Sequence, residues 1–328
     1  ENQCIGFVAS FIDDRYAPGG ERLLEPAAAL LGELICDPVT SHGRFVPEYF
    51  ESEKTNLLEA IRSLVNDKRD WADSRLLRTM CTGEPYSIPR LGDEETVDKL
   101  QALRLYDQYR DLITTAPLEI IYSGSAELDR VRQALAAAFA TLPREEVRTI
   151  ADAVPHVCRE SVQTVEDEME VTQGKLSMGF SCGSDDMPAL LLGNTLFGGS
   201  SNSKLFLNVR EKLSLCYYAS SMYHRQKGII TVSSGIEFQN YQRAYDEILS
   251  QLAAVQNGEL EEWELAGARS TLLNSYATVG DSQGKLENFY LGQAATGRSE
   301  TPADLAQAIP SKAVRILMLI STVYDVHN

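Results

Sequence analysis

The sequence predicts an α+β fold made of two similar halves. Strand-like runs rich in apolar and β-branched residues alternate with segregated amphipathic helical runs, which favours mostly antiparallel sheets, each covered by helices on one face. The same order of elements recurs in the two halves, which indicates duplication of a large domain. With 328 residues, 44% of them hydrophobic, the chain is long enough for two domains with their own cores.

The first half is predicted to be helical between two strands. Residues 4–12 and 118–124 have the alternation and β-branched content of strands. Apolar spacing predicts helices over 23–35 and 48–64. A shorter helix is expected to start at a cap, Asp73–Ser74, and a further helix to run through Leu100, Leu103 and Tyr106.

The second half repeats this order and adds elements before it. Two strand-like runs lie within 162–182, followed by a helix over 187–197. The repeated part is then predicted as a strand over 228–236, helices over 241–255 and 261–276, and a strand over 320–324. The first half has no counterpart of the added strands before Cys4, so we expect its domain to be N-terminally incomplete.

These patterns predict a first domain over 1–145, a linker over 146–160 and a second domain over 161–328. The linker region is charged, contains Pro155 and lacks a helical pattern. The elements that recur in the two halves lie on either side of it.

Charge and cysteine content limit the classes of function. The formal net charge of −17 disfavours binding to nucleic acids and to anionic membrane surfaces, because both need a basic face. No apolar run reaches the length of a membrane span. The six cysteines form no C-x-x-C pair and mostly lie in apolar runs, which is typical of a reducing compartment, so we expect a cytoplasmic protein.

Residues 198–217 carry the most specific pattern. Gly198, Gly199 and Ser200 predict a tight turn, because glycine permits close backbone approach. A short amphipathic helix follows with Arg210 outside its apolar stripe, and Tyr217 begins a predicted strand. A register shift of one residue would exchange Tyr217 for its neighbour, also a tyrosine.

This segment resembles the second half of the pitrilysin/insulinase (M16) zinc metallopeptidases, which share a LuxS/metalloenzyme-like fold. There a similar run, S-x-L-F-x-x-x-R-E-K-x-x-L-x-Y, carries an arginine and a tyrosine that reach a peptide. Residues 50–61 are similar to the family's F-E-x-E-K-x-x-L-L-x-E-I helix. The resemblance implies that Arg210 and Tyr217 bind a peptide substrate, with Gly198, Gly199 and Ser200 beside them.

The family's zinc motif, H-x-x-E-H, is absent from this chain. A hydrolytic zinc site needs three protein ligands, and no two of the four histidines lie within helical reach of one another. Glu51 lies where the family has its third ligand, but one carboxylate does not hold zinc, and Lys54 or Arg62 offers it an ion pair. We therefore expect no metal in this chain and zinc in a partner subunit.

The chain is most similar to bacterial family members that lack the motif, including a group associated with 5-aminopentanol modification of elongation factor P. The resemblance implies an inactive, peptide-binding subunit that pairs with an H-x-x-E-H subunit or with a second copy of itself. Two alternatives stay open. One is an active zinc metallopeptidase whose H-x-x-E-H helix is absent from this chain, and the other is a scaffold without enzymatic function.

Overall fold

The computed structural model describes residues 4–148, 161–183, 186–310 and 318–327, the side chains of the last segment from residue 322 onward. Most of the predicted linker, residues 149–160, lies outside them. Contacts divide the chain into two units. A helical unit comprises Glu1–Glu59, Asp93–Asp152 and Asp281–Ser299, and a sheet unit comprises Ala60–Gly92, Ala153–Gly280 and Glu300–Asn328. The domain boundaries expected from the sequence stay a prediction.

The described residues form the following elements. The α-helices are α1 Leu24–Cys36, α2 Pro47–Ser63, α3 Lys68–Met80, α4 Glu94–Asp98, α5 Ala102–Thr115, α6 Leu128–Ala138, α7 Met187–Phe197, α8 Tyr241–Asn257, α9 Glu262–Ala277, α10 Gln283–Ala295 and α11 Pro302–Ala308. The strands are β1 Thr40–Ser41, β2 Arg44–Phe45, β3 Gln163–Glu168, β4 Gly174–Cys182, β5 Cys216–His224, β6 Ile229–Ile236 and β7 Met318–His327, and a π-helix spans Leu205–Lys212. The predicted α+β class is confirmed.

The sheet unit is built on five strands in the order β3-β7-β4-β6-β5. All neighbours pair antiparallel except β3 and β7, which are parallel. Alternate residues of the strands face α7 and α8 and form the main core, which includes Met178, Phe180 and Val232. Strand β5 lies at the edge of the sheet, so it is paired on one side by the described strands.

Helix α3 covers part of the other face of this sheet. Ala72 and Leu76 pack against Tyr324 and Val326 of β7, and all four are fully or almost fully buried. The helix belongs to the first half of the sequence, yet its contacts place it with the sheet of the second half. Apolar spacing alone predicts a buried side of a helix without indicating what covers it.

The predicted cap of this helix was wrong. An Asp67 carboxylate oxygen accepts the backbone N–H groups of Arg69 and Asp70, each at 3.0 Å, and therefore caps α3 six residues earlier than expected. Asp73 lies in the middle of the helix, where it accepts a hydrogen bond from Ser177 at 2.6 Å. The prediction failed because a short polar side chain that bonds to a strand, as Asp73 does, cannot be told from a helix cap in the sequence.

The two strands predicted for the first half are also wrong. Residues 4–12 and 118–124 form no ladder, and the described strands of the helical unit are the two-residue hairpin β1–β2. The apolar side chains of residues 4–12 and 118–124 are largely exposed, with Ile5 at 82% and Ile120 at 45%. A strand needs a paired neighbour, and no described strand pairs with either run. Helix α6 was not predicted from the sequence.

Asp325 of β7 is a buried acid that makes stability depend on pH. Burial raises the pKa of this carboxyl to about 6; His327, whose Nδ1 lies 4.0 Å from a carboxylate oxygen, opposes the rise, and the charge of Glu166 adds to it. The native state therefore binds the proton more tightly than the unfolded chain. Its contribution to stability is present below pH ~4 and is lost as the pH rises to ~6, by about 3 kcal/mol.

We expect Asp325→Asn to remove this loss, because the amide does not ionise. Urea unfolding of both proteins between pH 4 and 8 measures it, and the difference between the two curves cancels the contributions of the other carboxyl groups. An identical pH dependence for variant and parent would contradict the assignment.

Candidate functional site

Gly198 joins α7 to the edge strand β5. Its N–H donates to the Asn194 carbonyl at 2.9 Å, and its own carbonyl accepts from the Ser221 N–H at 2.9 Å. A Cβ at this position would lie 2.6 Å from the Ser221 nitrogen and 2.7 Å from a Leu205 methyl carbon. Glycine is required here because the helix end packs directly on the strand backbone.

Gly199 and Ser200 continue the turn after α7. The Gly199 N–H donates to the Asn194 carbonyl at 2.8 Å, and the Ser200 hydroxyl donates to the Thr195 carbonyl at 3.2 Å. Both bonds return to the last turn of α7, so the turn is tied to its helix as its glycines predicted. Peptide binding by Gly198, Gly199 and Ser200 stays a prediction.

The predicted amphipathic helix is a π-helix. Its opened backbone is visible where the Leu213 N–H donates to the Asn208 carbonyl at 3.1 Å, five residues earlier. Of the predicted buried stripe, Leu205 and Val209 are fully buried, whereas its third residue, Phe206, is half-buried. π-Helical turns are rare and frequently occur at functional sites.

Arg210 projects from the last turn of the π-helix and is 40% exposed. Its guanidinium carbon lies 4.7 Å from the centre of the Phe206 ring, and a guanidinium nitrogen lies 3.5 Å from a Glu211 carboxylate oxygen. Stacking on the ring orients the planar guanidinium, while the ion pair is surface-exposed and therefore weak. The exposed guanidinium can still donate hydrogen bonds to the carbonyl group of a ligand that approaches from solvent.

A buried ion pair anchors the start of the π-helix. Lys204 Nζ lies 3.1 and 3.2 Å from the two carboxylate oxygens of Glu264 on α9. The two side chains are only 10% and 7% exposed. Glu264 also accepts the backbone N–H of Glu261 at 2.8 Å and so completes a capping box at the start of α9.

A tight reversal connects the π-helix to β5. Ser214 adopts a φ of +50°, in the left-handed region, and the Leu215 N–H donates to the Val209 carbonyl at 3.0 Å. Non-glycine residues rarely adopt this conformation, so the surrounding contacts have to hold it. The reversal brings the strand with Tyr217 alongside the helix with Arg210.

A β-bulge decides which tyrosine is exposed. Cys216 pairs with Ile236 and Tyr218 with Gly235, so Tyr217 has no partner residue in the ladder. Tyr217 is 59% exposed, with its hydroxyl 3.4 Å from a Glu237 carboxylate oxygen. Tyr218 packs its ring against Gly235 instead. The exposed ring is that of Tyr217, and the bulge removes the ambiguity of register.

The described residues do not fit a zinc ion. Glu51 lies on the exposed side of α2, and Lys54 bonds to the Asp98 carbonyl rather than to Glu51. Both ring nitrogens of His224 lie 3.0 Å from hydroxyl oxygens, those of Tyr86 and Thr231. Within residues 4–148, 161–183, 186–310 and 318–327, no three His, Cys, Asp or Glu side chains are grouped so as to hold a metal.

A family model decides the relationship. Residues 99–272, more than half of the chain, match the model described as the peptidase M16 inactive domain. The chain belongs to peptidase family M16. It is 34% identical over 301 residues to "Probable inactive metalloprotease YmfF" of Bacillus subtilis, an alignment that covers 90% of this chain and 70% of the relative. A second relative from that organism, "Uncharacterized zinc protease YmxG", is 22% identical and covers 82% of this chain and 66% of its own length.

Solved structures support the M16 fold. A conserved protein from Enterococcus faecalis superposes with a TM-score of 0.78 at 24% identity, covering 97% of this chain and 77% of that one. A peptidase M16 inactive domain from Pseudomonas fluorescens superposes with a TM-score of 0.71 at 16% identity, covering 92% and 74%. Among the described residues, no helix combines the length and the apolar character needed to cross a bilayer.

Proposed function

We propose that this M16 chain is a non-catalytic subunit that binds peptide through Arg210 and Tyr217 and pairs with a subunit that carries H-x-x-E-H and zinc. The observation that carries the proposal is the exposure of these two side chains on adjacent elements whose backbones are firmly held. Arg210 stacks on Phe206 and Tyr217 stands out at a bulge. Donors fixed in this way suit the carbonyl groups of an extended peptide.

The elements that carry Arg210 and Tyr217 are fixed by buried contacts. A buried ion pair fixes the start of the π-helix, and a glycine contact fixes α7 against β5. A binding residue on a well-anchored element loses little conformational freedom when a ligand binds. The similarity to a relative named as a probable inactive metalloprotease supports a binding role rather than a hydrolytic one.

Mixing the chain with an H-x-x-E-H subunit encoded in the same genome tests the proposal. We expect a complex on gel filtration and peptide turnover that is higher than with the partner alone and is abolished by a chelator. If no complex forms and the partner alone is equally active, the pairing is refuted. Chelator-sensitive turnover by the isolated chain would instead support the alternative of an active zinc peptidase.

A further inference from the structure

A second group of side chains lies beside the start of β5, on the side of the sheet that α3 covers. The guanidinium carbon of Arg69 lies 4.5 Å from the centre of the Tyr218 ring, and Lys175 Nζ lies 5.9 Å from the same point. Arg69 donates to the Ser220 hydroxyl at 3.2 Å, and Lys175 donates to the side-chain carbonyl of Gln173. Two cations are therefore held around one aromatic ring.

The charges of Asp67 and Asp73 act on this pair of cations, but neither acid forms an ion pair with them among the described residues. In the described part of the chain, neither Arg69 nor Lys175 forms an ion pair, although the protein carries a net charge of −17. Burial lowers the pKa of Lys175, with the charge of Arg69 acting in the same direction and that of Asp67 opposing it. Like charges at close range are unfavourable unless an anion joins them.

The acidic side chains nearby are engaged elsewhere. An oxygen of Asp67 accepts two backbone N–H groups at the start of α3. Asp73 accepts from Ser177; burial raises the pKa of its carboxyl, and the charge of Arg69 acts against this rise. Arg69 is exposed on its outer side, so an anion from solvent can reach its guanidinium.

The position of the cations relates them to the proposed peptide site. Tyr218, on which both cations lie, follows Tyr217 directly in the edge strand. Both cations therefore contact the residue that follows Tyr217 in the same strand. The guanidinium fork of arginine matches a carboxylate in two parallel hydrogen bonds.

We propose that Arg69 and Lys175 form a carboxylate-binding subsite next to Tyr217. Its ligand is a carboxylate of a peptide, from an acidic side chain or from the C-terminus. The inference rests on the proposed peptide-binding function and adds a preference for acidic peptides to it.

Small probes test the subsite without a peptide. We expect N-acetylglycine to shift the NMR signal of the Arg69 side-chain N–H saturably, and N-acetylglycinamide to leave it in place. Because the Arg69 guanidinium donates to the Ser220 hydroxyl, we also expect N-acetylglycine to shift the backbone signal of Ser220. Arg69→Met should abolish this second shift. Arg78→Met, a change of an exposed arginine on the same helix, should retain it. Equal shifts with acid and amide, or none with either, would overturn the subsite.

Four forms of one dye-labelled peptide then identify the source of the carboxylate. They combine an internal Glu or Gln with a free or amidated C-terminus, and fluorescence anisotropy gives the affinities. We expect the carboxylate that enters the subsite to tighten binding about threefold to tenfold, an advantage lost in Arg69→Met and in Lys175→Met. The gain should shrink as salt increases.

The outcomes separate the two proposals. If all four peptides bind equally well, the subsite is refuted while peptide binding stands. If no peptide binds but N-acetylglycine does, the proposed function fails and the carboxylate site is supported.

Discussion

Glu264→Ala should lower the free energy of unfolding by about 3–5 kcal/mol, the largest effect on stability that we expect from a single substitution. The change leaves the ammonium group of Lys204 buried without its partner, because that side chain is only 10% exposed. It also removes the reciprocal hydrogen bond to the Glu261 N–H at the start of α9. Urea unfolding followed by circular dichroism measures the loss.

Two further variants make this result interpretable. Glu262→Ala changes an exposed acid in the same first turn of α9 and should cost no more than about 0.5 kcal/mol. The double variant Lys204→Met with Glu264→Gln should recover part of the stability, because no unpaired charge stays buried. A cost for Glu264→Ala equal to that of Glu262→Ala would refute the anchoring role.

Arg210→Met should reduce the peptide turnover of the mixed complex, measured as kcat/KM, about 10- to 100-fold. The guanidinium supplies charged hydrogen bonds, each worth about 1.5–3 kcal/mol. Tyr217→Phe should reduce it about 2- to 10-fold, since a single neutral hydroxyl is lost. Neither change should alter the unfolding free energy by more than about 0.5 kcal/mol, because both side chains project into solvent.

Matched controls exist for both substitutions. Lys212→Met removes an exposed cation from the same turn of the π-helix, and Tyr49→Phe changes an exposed tyrosine of α2. Both should leave most of the turnover intact. If Arg210→Met and Tyr217→Phe behave like these controls, the two residues do not contact peptide and the chain serves as a scaffold.

Much of the fold was accessible from local patterns. Helices α2, α7 and α9 begin and end within one residue of the predicted positions, because their apolar spacing, prolines and acidic first turns are local signals. The prediction of a strand over 118–124 was wrong because strand formation depends on a non-local partner. The β-branched run is a local signal, but the partner strand that would pair with it is not encoded there.

The candidate site divides in the same way. The position of Arg210 outside the apolar stripe follows from the pattern of 198–217, but that pattern left open whether Tyr217 or Tyr218 is exposed. The π-helix, the bulge at Tyr217 and the pairing of Lys204 with Glu264 were not foreseen. Each depends on residues far away in the sequence, sixty positions in the case of the ion pair. The one local hint was a lysine directly before a buried apolar stripe.

We propose that this M16 chain binds peptide while its partner subunit binds the zinc. The zinc content of the intact, isolated gene product, measured together with its peptide cleavage, tests it most directly. We expect far less than one zinc per chain and no cleavage that a chelator removes. One tightly bound zinc per chain, with cleavage that stops when the chelator is added, would contradict it.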